Sequence, residues 1–216
     1  MSPFRRFSKT TITLIAAWVV FCGWVVWGWW AVRGLQESPY EVSQRHDGYE
    51  VREYGPLLAA QVSVVGSWSQ AWEQGFVMLE NYLSGDNTVQ ESIAMKRAIG
   101  MEPQSEDIAG AVPVLQQERG GVWLISFVLP PQWTDVTVPR PNDPRVRIVR
   151  LPARTIAAVT FSGRAAHDQV MRNESRLRES LAKNRAVITG PTTVAQYHLP
   201  GTPPFLRHNE ILIPIR

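Results

Sequence analysis

The chain has 216 residues and a formal net charge of +3, but Arg5, Arg6, Lys9 and Arg33 fall in a stretch, 1–33, that holds no acidic residue. What remains is nearly neutral, with 18 basic against 19 acidic side chains, and this argues against a nucleic-acid-binding surface. The one cysteine, Cys22, lies in an apolar N-terminal run, so the rest of the chain makes no disulfide and no thiolate metal site.

Residues 1–10 form a short basic tail. The next 22 positions, 11–32, carry no charge, and as a helix they would extend roughly 33 Å. A bilayer core is about 30 Å thick and takes about 20 apolar residues, so 11–32 reads as a transmembrane anchor. Positive charge tends to stay on the cytoplasmic side. That places the N-terminus inside and the remainder outside the cytoplasm, periplasmic or extracellular. Trp24, Trp27, Trp29 and Trp30 crowd the far end as an interfacial belt would. A cleaved signal peptide has an apolar region of about 7–15 residues and a small-residue cleavage site. This run is longer and ends Trp-Trp-Ala-Val-Arg, which favours an anchor.

Residues 33–48 are polar, contain Pro39 and read as a tether, leaving 49–216 as one domain with room for a core. YEVREY at 49–54 alternates as a strand does. Gly55-Pro56 marks a turn, and 57–65 a second strand. Ser67 is a plausible N-cap. Trp68, Trp72, Phe76, Leu79 and Leu83 then recur at helical spacing, until 84–87 (SGDN) stops the helix. A strand is expected over 89–99, and a hairpin from 111–117 and 122–129 about Arg119-Gly120-Gly121. Five prolines in 130–144 predict an irregular crossover.

The second half repeats the first. It has strands at 146–150 and 155–161 around Leu151-Pro152, a helix over 165–183, and strands at 193–197 and 210–215, the last two separated by a Pro-rich loop at 199–204. Two similar units of strand, turn, strand, helix and strand imply a pseudo-twofold α+β domain. Both helices would bury their apolar stripes on antiparallel sheet.

No catalytic constellation is written here. G-x-S-x-G, H-E-x-x-H, C-x-x-C and Walker patterns are all missing, so the chain does not read as an enzyme. His46, His167, His198 and His208 are isolated in sequence; each is either a haem ligand or a half-buried side chain with one hydrogen bond. Glu73 and Glu80 share a helix face, about 10 Å apart, either lining a cleft or facing solvent. The stripe of Trp68, Trp72 and Phe76 either packs on the sheet or walls a pocket for a flat apolar ligand.

One ordered set of segments carries a resemblance. YEVREYGPLLAAQVSV, GF-x-x-L-x-x-YLSG-x-N, IAM, FVLPPQW, PRPNDPRVRI, AAVTFSG and YHLP…RHNEILIPI occur in the order and spacing of the SOUL haem-binding family, from about 49 to 215. The resemblance implies two β-α-β repeats forming a distorted antiparallel barrel flanked by two long helices, here preceded by one transmembrane helix. It implies haem or another tetrapyrrole as ligand, in a shallow apolar pocket beside the first domain helix. The expected ligand-facing set is Trp72, Glu73, Phe76, Glu80 and Leu83, with Met95 and Arg97 from the following strand and Phe205 from the late loop.

This chain departs from the family at several places. The family's I-A-M-T-A-P-V becomes Ile93-Ala94-Met95-Lys96-Arg97-Ala98-Ile99. Glu53 stands where some members place a histidine. Glu73 and Asn81 stand where others place basic residues facing the propionates, and a carboxylate there repels a propionate. The expectation is a membrane-anchored carrier or sensor of a tetrapyrrole or other apolar small molecule. The alternative is a protein-interaction module that presents the Pro-rich loops and holds no small ligand.

Overall fold

Two Pro-containing connections decide how the strands pair. The computed structural model of the protein describes residues 9–33, 39–89, 105–106, 108, 113–197 and 202–216. Their strands are β1 (Tyr40–His46), β2 (Tyr49–Tyr54), β3 (Leu57–Val64), β4 (Asn87–Thr88), β5 (Val114–Arg119), β6 (Val122–Val128), β7 (Arg140–Pro141), β8 (Arg147–Leu151), β9 (Arg154–Phe161), β10 (Thr193–Gln196) and β11 (Asn209–Pro214). The helices are α1 (Lys9–Arg33), α2 (Trp68–Leu83) and α3 (His167–Lys183), with a 3-10 turn, η1, at Pro204–Leu206.

Nine of these strands form one curled antiparallel sheet in the order β1-β2-β9-β11-β10-β5-β6-β3-β8. β4 and β7 pair separately. The class is α+β as expected, but the sheet is an open half-barrel with β1 and β8 as edges, not a closed barrel. β2 and β3 do not pair with each other: β2 pairs with β9, and β3 pairs with β6 and β8. Each half therefore lends its first strand to the other half. The reason lies in Gly55-Pro56 and Leu151-Pro152. A residue before proline is pushed out of the helical region toward extended backbone, so the chain carries on across the sheet where a hairpin would reverse it. The two halves join where Val194 on β10 pairs with Gln116 on β5.

The segment expected as a tether also differs. Residues 40–46 form β1, paired with β2 through Tyr40 and Tyr54 at one end and His46 and Tyr49 at the other. Asp47-Gly48 makes the turn between them, and Gly48 takes φ 88°, a value only glycine reaches without strain. The strand expected over 89–99 lies almost wholly outside the described residues.

α2 starts as its sequence predicts. Ser67 caps it, and the Gln70 side chain returns a hydrogen bond from the Ser67 backbone N–H at 3.1 Å, a capping box. α3 has no side-chain cap, but Asp168 in its first turn and Lys183 in its last complement the helix dipole. α2 covers Val62, Ile125 and Phe127 on one half of the sheet through Ala71, Leu79 and Tyr82. α3 covers Val51, Ala157, Ile211 and Ile213 on the other half through Val170, Leu177 and Leu181. Burying each such large aliphatic side chain stabilises the fold by about 1.5–3 kcal/mol. A third cluster lies on the sheet face away from both helices, where Tyr54, Leu115, Val128, Ile156, Tyr197 and Leu212 pack together. The sheet buries these by its own curl.

α1 forms over the stretch expected for the anchor, and most of its described side chains are apolar and exposed, Trp18 to 70% and Val20 to 73%. Among the described residues, however, no helix is long and apolar enough to cross a membrane. The transmembrane anchor expected over 11–32 is therefore not supported by the described residues of this helix.

Candidate functional site

The aromatic stripe of α2 divides along the helix. Trp68 turns toward the second half of the domain. Its ring lies edge-on to Trp123 at 5.2 Å and 5.4 Å from His167, while Trp123 Nε1 donates to the Gly66 carbonyl at 3.0 Å. One turn on, Trp72 and Phe76 lie together, ring centroids 5.9 Å apart. Phe76 sits 5.5 Å above Phe127. Phe127 is buried, whereas Trp72 and Phe76 are half-buried, so part of each side chain remains open to solvent.

Close packing beneath these rings fixes their height. A Cβ at Gly75 would meet Ile125 Cγ1 at 2.5 Å and Ile125 Cβ at 2.8 Å. No other residue lets α2 come this near β6. At the helix C-terminus, buried Tyr82 donates from its hydroxyl to the Pro139 carbonyl at 2.9 Å, tying α2 to the crossover loop. Burial raises the Tyr82 hydroxyl well above its ordinary value, so it stays a neutral donor. Trp133, from the same loop, packs on this cluster with its indole Nε1 buried and without a hydrogen-bond partner.

Those expected site residues that the structure describes fall into three groups. Trp72 and Phe76 are brought together as half-buried rings, and Leu83 packs against the core beneath them. Glu73 and Glu80 are exposed on the same helix. Phe205 stands apart on η1, 57% exposed, in a turn held by the Gly163 N–H donating to the Pro204 carbonyl. Met95 and Arg97 lie outside the described residues, as does His198.

Trp72 and Phe76 offer an apolar face, but α2 supplies no histidine for an iron and no cation for a propionate, since the helix carries neither histidine nor Lys nor Arg. The described histidines are engaged elsewhere. His46 stacks on Tyr49, His167 lies against Trp68, and His208 Nε2 is 3.2 Å from Glu210 Oε1. No group of three or more metal-ligating side chains occurs among the described residues.

The opposite face of the sheet holds a polar network that sequence reading missed. Arg52 donates to Glu210 Oε1 at 2.8 Å and approaches Glu50 Oε2 at 3.0 Å, while its guanidinium lies 4.2 Å from the Tyr40 ring centre. Tyr197 donates to Glu210 Oε2 at 2.8 Å. Burial pushes the Glu210 carboxyl upward, but His208, Arg52 and Tyr197 outweigh it and hold the group below its ordinary value. For Arg52, burial works against the charge, and Glu210 together with Tyr54 more than restores it. The available signal was a charge at an inward position of an alternating strand, as in YEVREY and NEILIP. The identity of the partner was not available, because the two residues are far apart in the chain.

The family model described as SOUL heme-binding protein matches residues 35–214. No curated protein matches the sequence. Among solved structures, the chain is similar to the C-terminal domain of EcmrR at 10% identity and a TM-score of 0.56, covering 82% of this chain and 98% of that one. It is also similar to EcmrR in a DNA complex at 11% identity and a TM-score of 0.53, covering 80% of this chain and 59% of that one. At such identities the likeness concerns the fold.

Proposed function

Because the chain belongs to the SOUL haem-binding family, we propose that it binds a tetrapyrrole or another flat apolar molecule on the aromatic face of α2, as a carrier or sensor of that ligand. The observation that carries this reading is the half-buried pair Trp72 and Phe76, held 5.9 Å apart above Phe127. Two rings on a rigid helix offer a flat ligand a preformed surface. Covering roughly 200 Å² of apolar area contributes about 5 kcal/mol before the costs of association. When bound, a tetrapyrrole would supply its conjugated ring, and iron if it is haem. The residues of α2 would hold the ring by its face and offer the iron no histidine from that helix. Glu73 and Glu80 place negative charge beside the rings, so propionates would point away from α2.

The domain is held at a membrane by 11–32 in this reading, with its ligand face outside the cytoplasm. The supporting observations are the 22 charge-free positions and the exposed Leu14, Trp18, Val19 and Val20 of α1. Apolar ligands partition into bilayers, so an anchored domain would meet them there.

Two measurements test these statements. The full-length protein purified from cells should show a Soret band, or gain one on adding hemin. A colourless protein with no saturable change at micromolar hemin would defeat the ligand reading. Protease added to intact cells, with the outer membrane permeabilised if there is one, should digest the domain; protection would defeat the orientation.

A further inference from the structure

On the sheet face away from the helices, two guanidiniums stand on neighbouring strands and only one is neutralised. Arg52 has Glu210 and Glu50. Arg154, paired across β2 and β9 with Tyr54, has no hydrogen bond or ion pair among the described residues. The Glu210 carboxylate is already taken up by Arg52, Tyr197, His208 and Thr160. Beside Arg154 the Tyr54 side chain is 7% exposed, and its hydroxyl is buried with no hydrogen bond of good geometry, the Arg52 guanidinium lying near it. Both residues line a recess walled mostly by aliphatic side chains, Leu115, Val128, Ile156 and Leu212 among them, with Tyr197 beside them.

We propose that this recess seats the carboxylate of an apolar molecule between the Arg154 guanidinium and the Tyr54 hydroxyl. The chemistry follows from what each rival ligand would leave behind. A cation meets an uncompensated positive charge. A neutral apolar molecule leaves a guanidinium and a hydroxyl buried without partners, which is the costly outcome for such groups. A carboxylate satisfies both with charge-assisted hydrogen bonds. Burial raises Tyr54 to about 12, so it is a neutral donor to an anion at neutral pH. Burial also disfavours the bare Arg154 cation, and a counter-ion relieves that. The free space is about 10 Å³, about the room of one water, so the carboxylate would enter as the half-buried Arg154 and Leu57 side chains at the mouth move aside, with the apolar body lying outside them. The recess and the α2 face lie on opposite sides of the sheet, so each reading stands without the other.

The test titrates full-length protein in lipid nanodiscs, with empty nanodiscs subtracted, using pyrenebutyric acid and mesoporphyrin, each beside its methyl ester. At least one acid should bind about tenfold tighter than its ester. If the preference appears with mesoporphyrin alone, the head group is a tetrapyrrole propionate; if with pyrenebutyric acid, it is a simple apolar acid. Arg154→Gln should abolish the preference with an unchanged circular dichroism spectrum, and Arg154→Lys should keep part of it. Tyr54→Phe, which removes one oxygen, should weaken it and serves if Arg154→Gln does not fold. Equal binding of acid and ester for both probes overturns the proposal, as does a preference that survives Arg154→Gln in the folded protein.

Discussion

Arg52 and Glu210 are 158 positions apart in the chain, and their side chains meet at 2.8 Å in the buried face of the sheet. They stand on β2 and β11, which flank β9 on either side. The pair therefore spans the strand contributed by one half of the chain and the strands native to the other. Both side chains are nearly inaccessible to solvent. Removing one partner should be severe, because the other is left as a buried, uncompensated charge. Glu210→Ala is expected to lower stability by about 3–5 kcal/mol in urea unfolding. Replacing both together with apolar residues of similar volume should lose much less.

The same carboxylate sets a pH dependence. Its folded value lies below the ordinary 4.5 because His208, Arg52 and Tyr197 together outweigh burial. The unfolded state thus takes up a proton before the folded state does, and stability rises with pH wherever that holds. The Glu210 contribution is complete above the unfolded value and is lost as pH falls through the lower folded value. Urea midpoints measured from neutral pH down through about pH 3 should fall more steeply for the wild type than for Glu210→Gln. Parallel curves would count against this assignment.

Gly75 allows α2 to rest directly on Ile125. Gly75→Ala should raise helix propensity yet lower stability by about 1–3 kcal/mol, because the new methyl overlaps the Ile125 side chain. Adding Ile125→Ala should give a double variant less destabilised than the sum of the two single changes. Thermal unfolding of the four proteins measures this coupling.

Glu73 is exposed one residue after Trp72. If its charge repels a propionate, Glu73→Ala should leave hemin affinity equal or somewhat higher, whereas Glu73→Lys should raise it by several-fold at low salt and less at high salt. A fall in affinity for Glu73→Ala would mean that the carboxylate makes a favourable contact.

Much of this fold was legible because local signals agreed with tertiary ones. The apolar stripe and Ser67 predicted α2 at its observed limits, Trp68–Leu83, and the repeat in the second half foretold α3 and β9. The exchange of first strands was not legible. Gly-Pro and Leu-Pro mark turns in the sequence, but which strands those turns bring together depends on long-range pairing that no local signal carries. β1 was missed because its burial is slight: from Glu41 to Arg45 every side chain is exposed, so no apolar alternation marks it. The site was half legible. Helical spacing put Trp72 and Phe76 together, but Phe205 sits on another element, and no periodicity could bring Arg52 to Glu210 or Arg154 to Tyr54.

The central claim is that the α2 face recognises a flat ring by contact, without help from iron. It is tested by titrating the full-length protein with hemin and with metal-free protoporphyrin, following absorbance and fluorescence, in the wild type and in Trp72→Ala. The two ligands should bind with affinities within a few-fold of each other, and Trp72→Ala should weaken both by about tenfold or more. Hemin binding that is strong while protoporphyrin binding is absent, or that is untouched by Trp72→Ala, would contradict it.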